Sequence, residues 1–190
     1  MDVPRHVGQT PVYYYQHVGC RSDAGMKSIN PQGYCTISCA SQLPFGYGLS
    51  YTKYAYDRGS MEINLAGEDG IPVIRISVKV SNDGAVEGDE VVQLYGIDRK
   101  ASIMRPQREL LGFRRISLEP GETKTVEFIF RLDQLAFFDA DGRWVLEAGD
   151  FDFFIGRDCN TPVFECSYRQ RENIEIDHRT RGLFAETIVR

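Results

Sequence analysis

Between about Tyr51 and Asp158, apolar and polar residues alternate in short runs spaced by turn residues, the pattern of an antiparallel sandwich or barrel. In Val73-Ile74-Arg75-Ile76-Ser77-Val78-Lys79-Val80 every even position is aliphatic, and Arg75, Ser77 and Lys79 fill odd ones. A period of two puts Ile74, Ile76, Val78 and Val80 on a core face. Ser81-Asn82-Asp83-Gly84 then supplies residues that tolerate positive φ, which predicts a turn before a strand at Glu90-Val91-Val92-Gln93-Leu94-Tyr95. Thr123 to Phe130 repeats the alternation, with Val126, Phe128 and Phe130 inward and Glu127 outward, behind a turn at Leu118-Glu119-Pro120-Gly121-Glu122.

Asp139-Ala140-Asp141-Gly142 lies between the apolar runs Leu135 to Phe138 and Arg143-Trp144-Val145-Leu146, and Asp-Gly in that setting predicts a hairpin. Phe137, Phe138 and Trp144 then lie on paired strands. Ala148-Gly149-Asp150 turns the chain into Phe151 to Ile155, and Gly156 ends that strand, giving six or seven strands in about a hundred residues. Val163 to Tyr168 reads as a last sandwich strand, whereas Leu183 to Val189 fits a strand or a short helix equally well. Residues 1–50 carry no sustained period and read as connection. The chain thus divides into an irregular N-terminal extension (1–50), an all-β sandwich (51–158) and a C-terminal strand and tail (159–190).

Composition narrows the function classes. The 190 residues are 42% hydrophobic and 26% charged, enough apolar content for a packed core. Net charge is −5, made of +1 over residues 1–50, −6 over 51–158 and zero over the tail, which disfavours nucleic-acid binding. The longest apolar runs are four residues, against about 18 for a membrane-spanning helix, so no membrane partner is expected. Met1 to Arg5 shows no basic segment leading into an apolar one; no secretory leader is read there, and the compartment stays open. Cys20, Cys35, Cys39, Cys159 and Cys166 have no CxxC spacing and are odd in number, so they read mostly as free thiols; Cys35 and Cys39 are near enough in sequence to bridge if oxidised.

Candidate chemistry is sparse. Asp139 and Asp141 are close, but a hairpin tip favours Asp for turn geometry. Glu87, Asp89 and Glu90 form an acidic cluster without calcium-loop spacing and read as a solvated strand entrance. His6, His17 and His178 form no HxH or HExxH arrangement, so no metal site is predicted. There is no G-x-S-x-G elbow, and the glycines of Phe45-Gly46-Tyr47-Gly48 flank aromatics instead of opening a phosphate-binding helix. One compositional feature has a ligand reading: Tyr13, Tyr14, Tyr15, Tyr34, Phe45, Tyr47, Tyr51, Tyr54 and Tyr56 are concentrated near the N-terminal end. They suit an interface better than a sugar platform.

Several motifs occur in an order that resembles the C-terminal end of glycoside hydrolase family 3 enzymes, the β-glucosidase and β-xylosidase group. Pro4-Arg5-His6-Val7-Gly8-Gln9-Thr10-Pro11-Val12-Tyr13-Tyr14 is similar to the end of that family's α/β domain, and Pro44-Phe45-Gly46-Tyr47-Gly48-Leu49-Ser50-Tyr51-Thr52 to the linker that follows. Then come Glu90 to Tyr95, Arg105-Pro106 with Glu109-Leu110 and Gly112-Phe113, Leu118 with Pro120-Gly121-Glu122, and Leu135 to Asp139 with Gly142 and Trp144. The resemblance spans about residues 3 to 158; the stretch from Tyr15 to Leu43 and the tail after Asp158 depart from it.

The resemblance implies a fibronectin type III-like (immunoglobulin-like) antiparallel β-sandwich. It also implies a parent enzyme that removes terminal β-linked glucose or related sugars with retention, using two carboxylates and no cofactor. The family's nucleophilic Asp belongs to an N-terminal barrel and its acid/base Glu to the α/β domain ahead of the segment like Pro4 to Gln9. Neither has a counterpart here, so no catalytic, cofactor-binding or metal residue carries over and the chain alone is expected to be inactive. Its partners would be the catalytic domains of the parent glycosidase, with Tyr13, Phe45, Tyr47 and Tyr51 as interdomain anchors. The alternative is a free-standing carbohydrate-binding or adhesion module of the same fold, with carbohydrate as its partner.

Overall fold

The computed structural model describes residues 2–9, 13–17, 40–57, 59–64 and 70–190. Cys20, Cys35, Cys39 and Tyr34 lie outside them. Two antiparallel sheets face each other, as the alternation predicts. The first contains β1 (Tyr54–Tyr56), β2 (Ser60–Asn64), β3 (Val73–Asn82), β6 (Thr123–Arg131) and β12 (Glu186–Val189), ordered β1-β3-β6-β12, with β2 also on β3. β1 pairs with the C-terminal end of β3 and β2 with its N-terminal half, so the two share one edge. The second sheet runs β10-β9-β4-β5, from β4 (Gly88–Asp98), β5 (Glu109–Leu118), β9 (Gly149–Gly156) and β10 (Pro162–Gln170). A small third sheet, β11-β8-β7, joins β7 (Phe137–Phe138), β8 (Trp144–Leu146) and β11 (Ile174–Glu175).

The core forms where inward positions of both sheets meet. Ile74, Ile76, Val78 and Val80 of β3 are buried, as are Val126, Phe128 and Phe130 of β6. Opposite them lie Val92 and Leu94 of β4 and Phe151, Phe153 and Ile155 of β9; Phe130 and Phe153 meet edge to face at 5.1 Å. Burial of each such side chain is worth about 1.5–3 kcal/mol, and together they hold the sheets in register.

Three local expectations are corrected. Glu127 points to the outer face but is only 6% exposed: β12 covers β6 on its far side, and Arg75 and Arg190 close over the carboxylate. The turn after β3 uses no positive φ. Buried Asn82 makes it instead, its Oδ1 accepting from Gly84 N at 3.0 Å and Thr52 Oγ1 at 2.6 Å while its Nδ2 donates to Val86 O and Leu118 O. Strand segments also exceed the expected number, because β1, β2 and β5 lack a clean alternating signature.

The hairpin at Asp139–Gly142 forms as expected, with Phe138 opposite Trp144 and Gly142 at φ 82°, a conformation that favours glycine. Leu135 instead ends a short 3-10 turn, Leu132–Leu135. Of Leu183 to Val189, Glu186–Val189 form the strand β12. Just before it, residues 182–185 cross from one sheet to the other: Gly182 N donates to Asp133 Oδ1, Gln134 Nε2 donates to Leu183 O and Leu111 O, and Ala185 N donates to Leu111 O on β5.

Candidate functional site

β4 over Val92 to Gly96 and β9 over Phe153 to Gly156 are buried on both faces. Their inner residues alternate into the core, yet Tyr95 and Phe154, on the outer face, are 0% and 6% exposed. The N-terminal extension covers them. Tyr14 stacks on Phe45 at 4.1 Å, Tyr14 meets Tyr95 edge to face at 6.3 Å, and Tyr95 stacks on Phe154 at 4.8 Å. With Cys159, Ile97 and Leu110 these rings form a second apolar cluster. Offset and edge contacts of this kind add about 0.5–1.5 kcal/mol per pair beyond area burial.

Polar bonds fix the extension in place. Phe45 O accepts from Cys159 N, Phe45 N donates to Asp2 Oδ1 at 3.0 Å, and Val3 pairs with Leu43. Gln93, 3% exposed, donates from Nε2 to Gly46 O and Arg157 O and accepts from the Tyr95 hydroxyl at 2.6 Å. Gly46 has φ 85°, and a Cβ there would collide with the Gln93 amide, so glycine is required twice over. Gln107 N donates to Gln16 O and Tyr15 reaches Glu109 at 3.5 Å, which anchors the other end.

Beneath that second anchor is a charged cluster. Arg105 donates to Glu109 at 2.7 Å and to Leu135 O, stands over the Phe137 ring at 4.9 Å, and lies 3.9 Å from Asp98. Burial pushes the Asp98 and Glu109 carboxyls above their ordinary range, and Arg105 only partly offsets this. Glu90 is raised for the same reason, against the Val91 N–H and Arg157. Arg157 itself stacks on Tyr56 at 5.2 Å and donates to Tyr54 O, linking the two sheets.

A cleft of about 1110 Å³ opens between the linker and the start of β4, lined by Tyr47, Leu49, Ser50, Tyr54, Val91 and Phe113 among others. Asp89, Glu90 and Asp158 also border it, but each is engaged locally. Asp89 accepts from Arg115 and Ser117, Asp158 from Asn160 N and Thr161 Oγ1, and Glu90 from Val91 N.

The other residues singled out by sequence are dispersed. Asp139 accepts from Asp141 N and Arg143 N and pairs with the Arg143 guanidinium, which together hold its carboxyl low; Asp141 pairs with the same arginine. His6, His17 and His178 are exposed and apart; His17 bridges to Pro106 and His178 lies by Asp177. Cys159 and Cys166 are free thiols, pushed up to about 11 and about 12 by burial. Among the described residues no group of three His, Cys, Asp or Glu side chains could hold a metal ion, and no helix is long and apolar enough to cross a membrane. Of the expected anchors, Phe45 is consumed within the chain, while Tyr13, Tyr47 and Tyr51 are exposed. Tyr95, Phe154 and Gln93 were not evident as site residues; the unbroken run Phe153-Phe154-Ile155 was the available signal, since consecutive apolar residues mark a strand covered on both faces.

Comparison with known proteins places this arrangement. Residues 90–159 match the fibronectin type III-like domain family. The chain is 39% identical over 147 residues to thermostable β-glucosidase B of Acetivibrio thermocellus, covering 77% of this chain and 19% of that protein. It is 39% identical over 157 residues to a β-xylosidase of Formosa agariphila, covering 82% and 20% respectively. Among solved structures, a β-glucosidase from intestinal bacteria involved in saponin metabolism superposes with a TM-score of 0.75 at 32% identity, over 88% of this chain and 21% of that one. The chain therefore spans about a fifth of the length of these relatives. The matches, the antiparallel sandwich and the ordered motifs agree: this chain belongs to glycoside hydrolase family 3, as its C-terminal, fibronectin type III-like part.

Proposed function

We propose that the chain braces a family 3 exo-β-glycosidase, its sandwich docking beside catalytic domains that hydrolyse terminal β-linked glucose or related sugars with retention. One observation carries the reading. The extension that resembles the end of an α/β domain is held on the outer face of β4 and β9 by the Tyr14, Phe45, Tyr95 and Phe154 rings. A strand pair buried on both faces suits a module built to be covered. The reactive carboxylates belong to the catalytic domains, and this module contributes no reacting group, cofactor or metal ligand. Deleting residues 51–190 from the parent enzyme should lower its melting temperature and the yield of soluble, active protein. A truncated enzyme that keeps both would contradict the proposal.

The exposed rings of Tyr47, Tyr51 and Phe113 favour a second reading, a free carbohydrate-binding module. That reading requires heat on titration of the isolated chain with cello- or xylo-oligosaccharides. A flat titration excludes it, and a long open reading frame upstream of Met1 supports the first reading.

A further inference from the structure

We infer that two copies of the chain pair along β10, edge to edge and antiparallel, about a two-fold axis at Ser167, so that the second sheet of one molecule continues into that of the other. β10 (Pro162–Gln170) ends that sheet: β9 bonds one side of it, and among the described residues no strand lies on the other. The far end of the same sheet is closed, because Ala185 N donates to Leu111 O of β5. Edge strands are normally blunted by Lys, Pro, a bulge or an inward-pointing charge. In β10 the proline and the register shift both fall at its start, between Pro162 and Phe164, and the run from Phe164 to Gln170 carries none of these devices.

The pattern of the strand identifies the occupant. Phe164, Cys166 and Tyr168 pack against the core but are only partly covered, whereas Glu165, Ser167 and Arg169 are exposed on the outer face, opposite Phe154, Asp152 and Asp150 of β9. A sheet that continues across the edge keeps its two faces, so the axis must fall at a residue and not between two. At Ser167 the outer row becomes self-complementary: Glu165 of each copy lies directly opposite Arg169 of the other, twice over, with Cys166 opposite Tyr168 on the inner row. An axis at Cys166 would set Glu165 opposite Ser167, and one at Tyr168 would set Ser167 opposite Arg169, so neither brings opposite charges of the strand together. Arg169 is available for the contact, its side chain 79% exposed and its approach to Asp150 a long 3.8 Å. Opposite charges directly across a strand pair stabilise it and like charges destabilise it. The edges of the first sheet lack this match: β2 carries a single charge, Glu62, and β12 is four residues long with Arg190 turned to Glu127.

Sedimentation of the 190-residue chain over a rising concentration series should show a monomer–dimer equilibrium. Glu165→Arg and Arg169→Glu, each alone, set like charges opposite one another and should weaken self-association about tenfold or more. An equimolar mixture of these two variants brings opposite charges together again and should restore the dimer, as should the double variant Glu165→Arg/Arg169→Glu. Recovery on mixing is the decisive reading, since a substitution that merely disturbed the fold is not repaired by a second disturbed chain. If a single variant melts below the wild type, Ser167→Cys takes its place. Under mild oxidation that variant should give a dimer in which peptide mapping finds position 167 joined to position 167, because directly opposed residues of an antiparallel pair lie within disulfide reach. A wild-type chain that is monomeric at every concentration overturns the inference. So does dimerisation that the single charge variants leave unchanged or that mixing fails to restore, or a Ser167→Cys dimer linked through other cysteines.

Discussion

Gly46 and Gln93 show how single residues set the outer face. Substituting Gly46 by Ala adds a Cβ at φ 85° and pushes it into the Gln93 amide, which in turn holds Tyr95 and the carbonyl of Arg157. Gly46→Ala should therefore destabilise the chain by about 1–3 kcal/mol, read as a lower urea midpoint. The buried carboxyls give a pH signature. Glu90, Asp98 and Glu109 are raised by burial, so the folded chain holds their protons to higher pH than the unfolded chain does. The stability they contribute is fully present below the ordinary carboxylate range and is lost as pH rises through the folded values. Glu90→Gln should flatten this decline, so that the variant gains on the wild type in denaturation curves as pH rises through and above the ordinary carboxylate range. The gain should not appear if Glu90 titrates at its ordinary value in the folded chain.

At the scale of elements, β3, β6 and the Asp139 hairpin were legible because each carries a local signal, strict alternation or Asp-Gly between apolar runs. β5 was not, since Glu109-Leu110-Leu111-Gly112-Phe113-Arg114-Arg115 breaks the period, and a bulge opposite Leu94 and Tyr95 shifts its register. The role of the tail was equally hidden: whether Leu183 to Val189 forms a strand depends on the free edge of β6, a partner some sixty residues away in sequence. β12 and residues 182–185 close the side of the sandwich between β5 and β6. Deleting residues 182–190 should thus cost a few kcal/mol, from lost ladder and Gln134 hydrogen bonds, and expose the β6 edge to intermolecular pairing. A lower melting temperature with concentration-dependent aggregation is the expected result; an unchanged melting curve would show that the strap is dispensable.

Across the whole molecule, the outer face of the second sheet was the part of the site that sequence reading only half reached. The concentration of aromatics near the N-terminal end signalled an interface, but which rings stack inside the chain and which stay exposed depends on how the linker crosses β4 and β9. Phe154→Ala should remove a ring of that stack, destabilise the chain by about 3–5 kcal/mol, and make the N-terminal extension sensitive to protease before the sandwich unfolds. Simultaneous cleavage of both would mean that the extension is not a separately released layer.

The bracing role proposed above is tested most directly by turnover of aryl β-glucosides and β-xylosides by the isolated 190-residue chain. The expected result is no hydrolysis above the uncatalysed rate. Sustained turnover that a single substitution such as Asp89→Asn, Glu90→Gln or Asp158→Asn abolishes would contradict it.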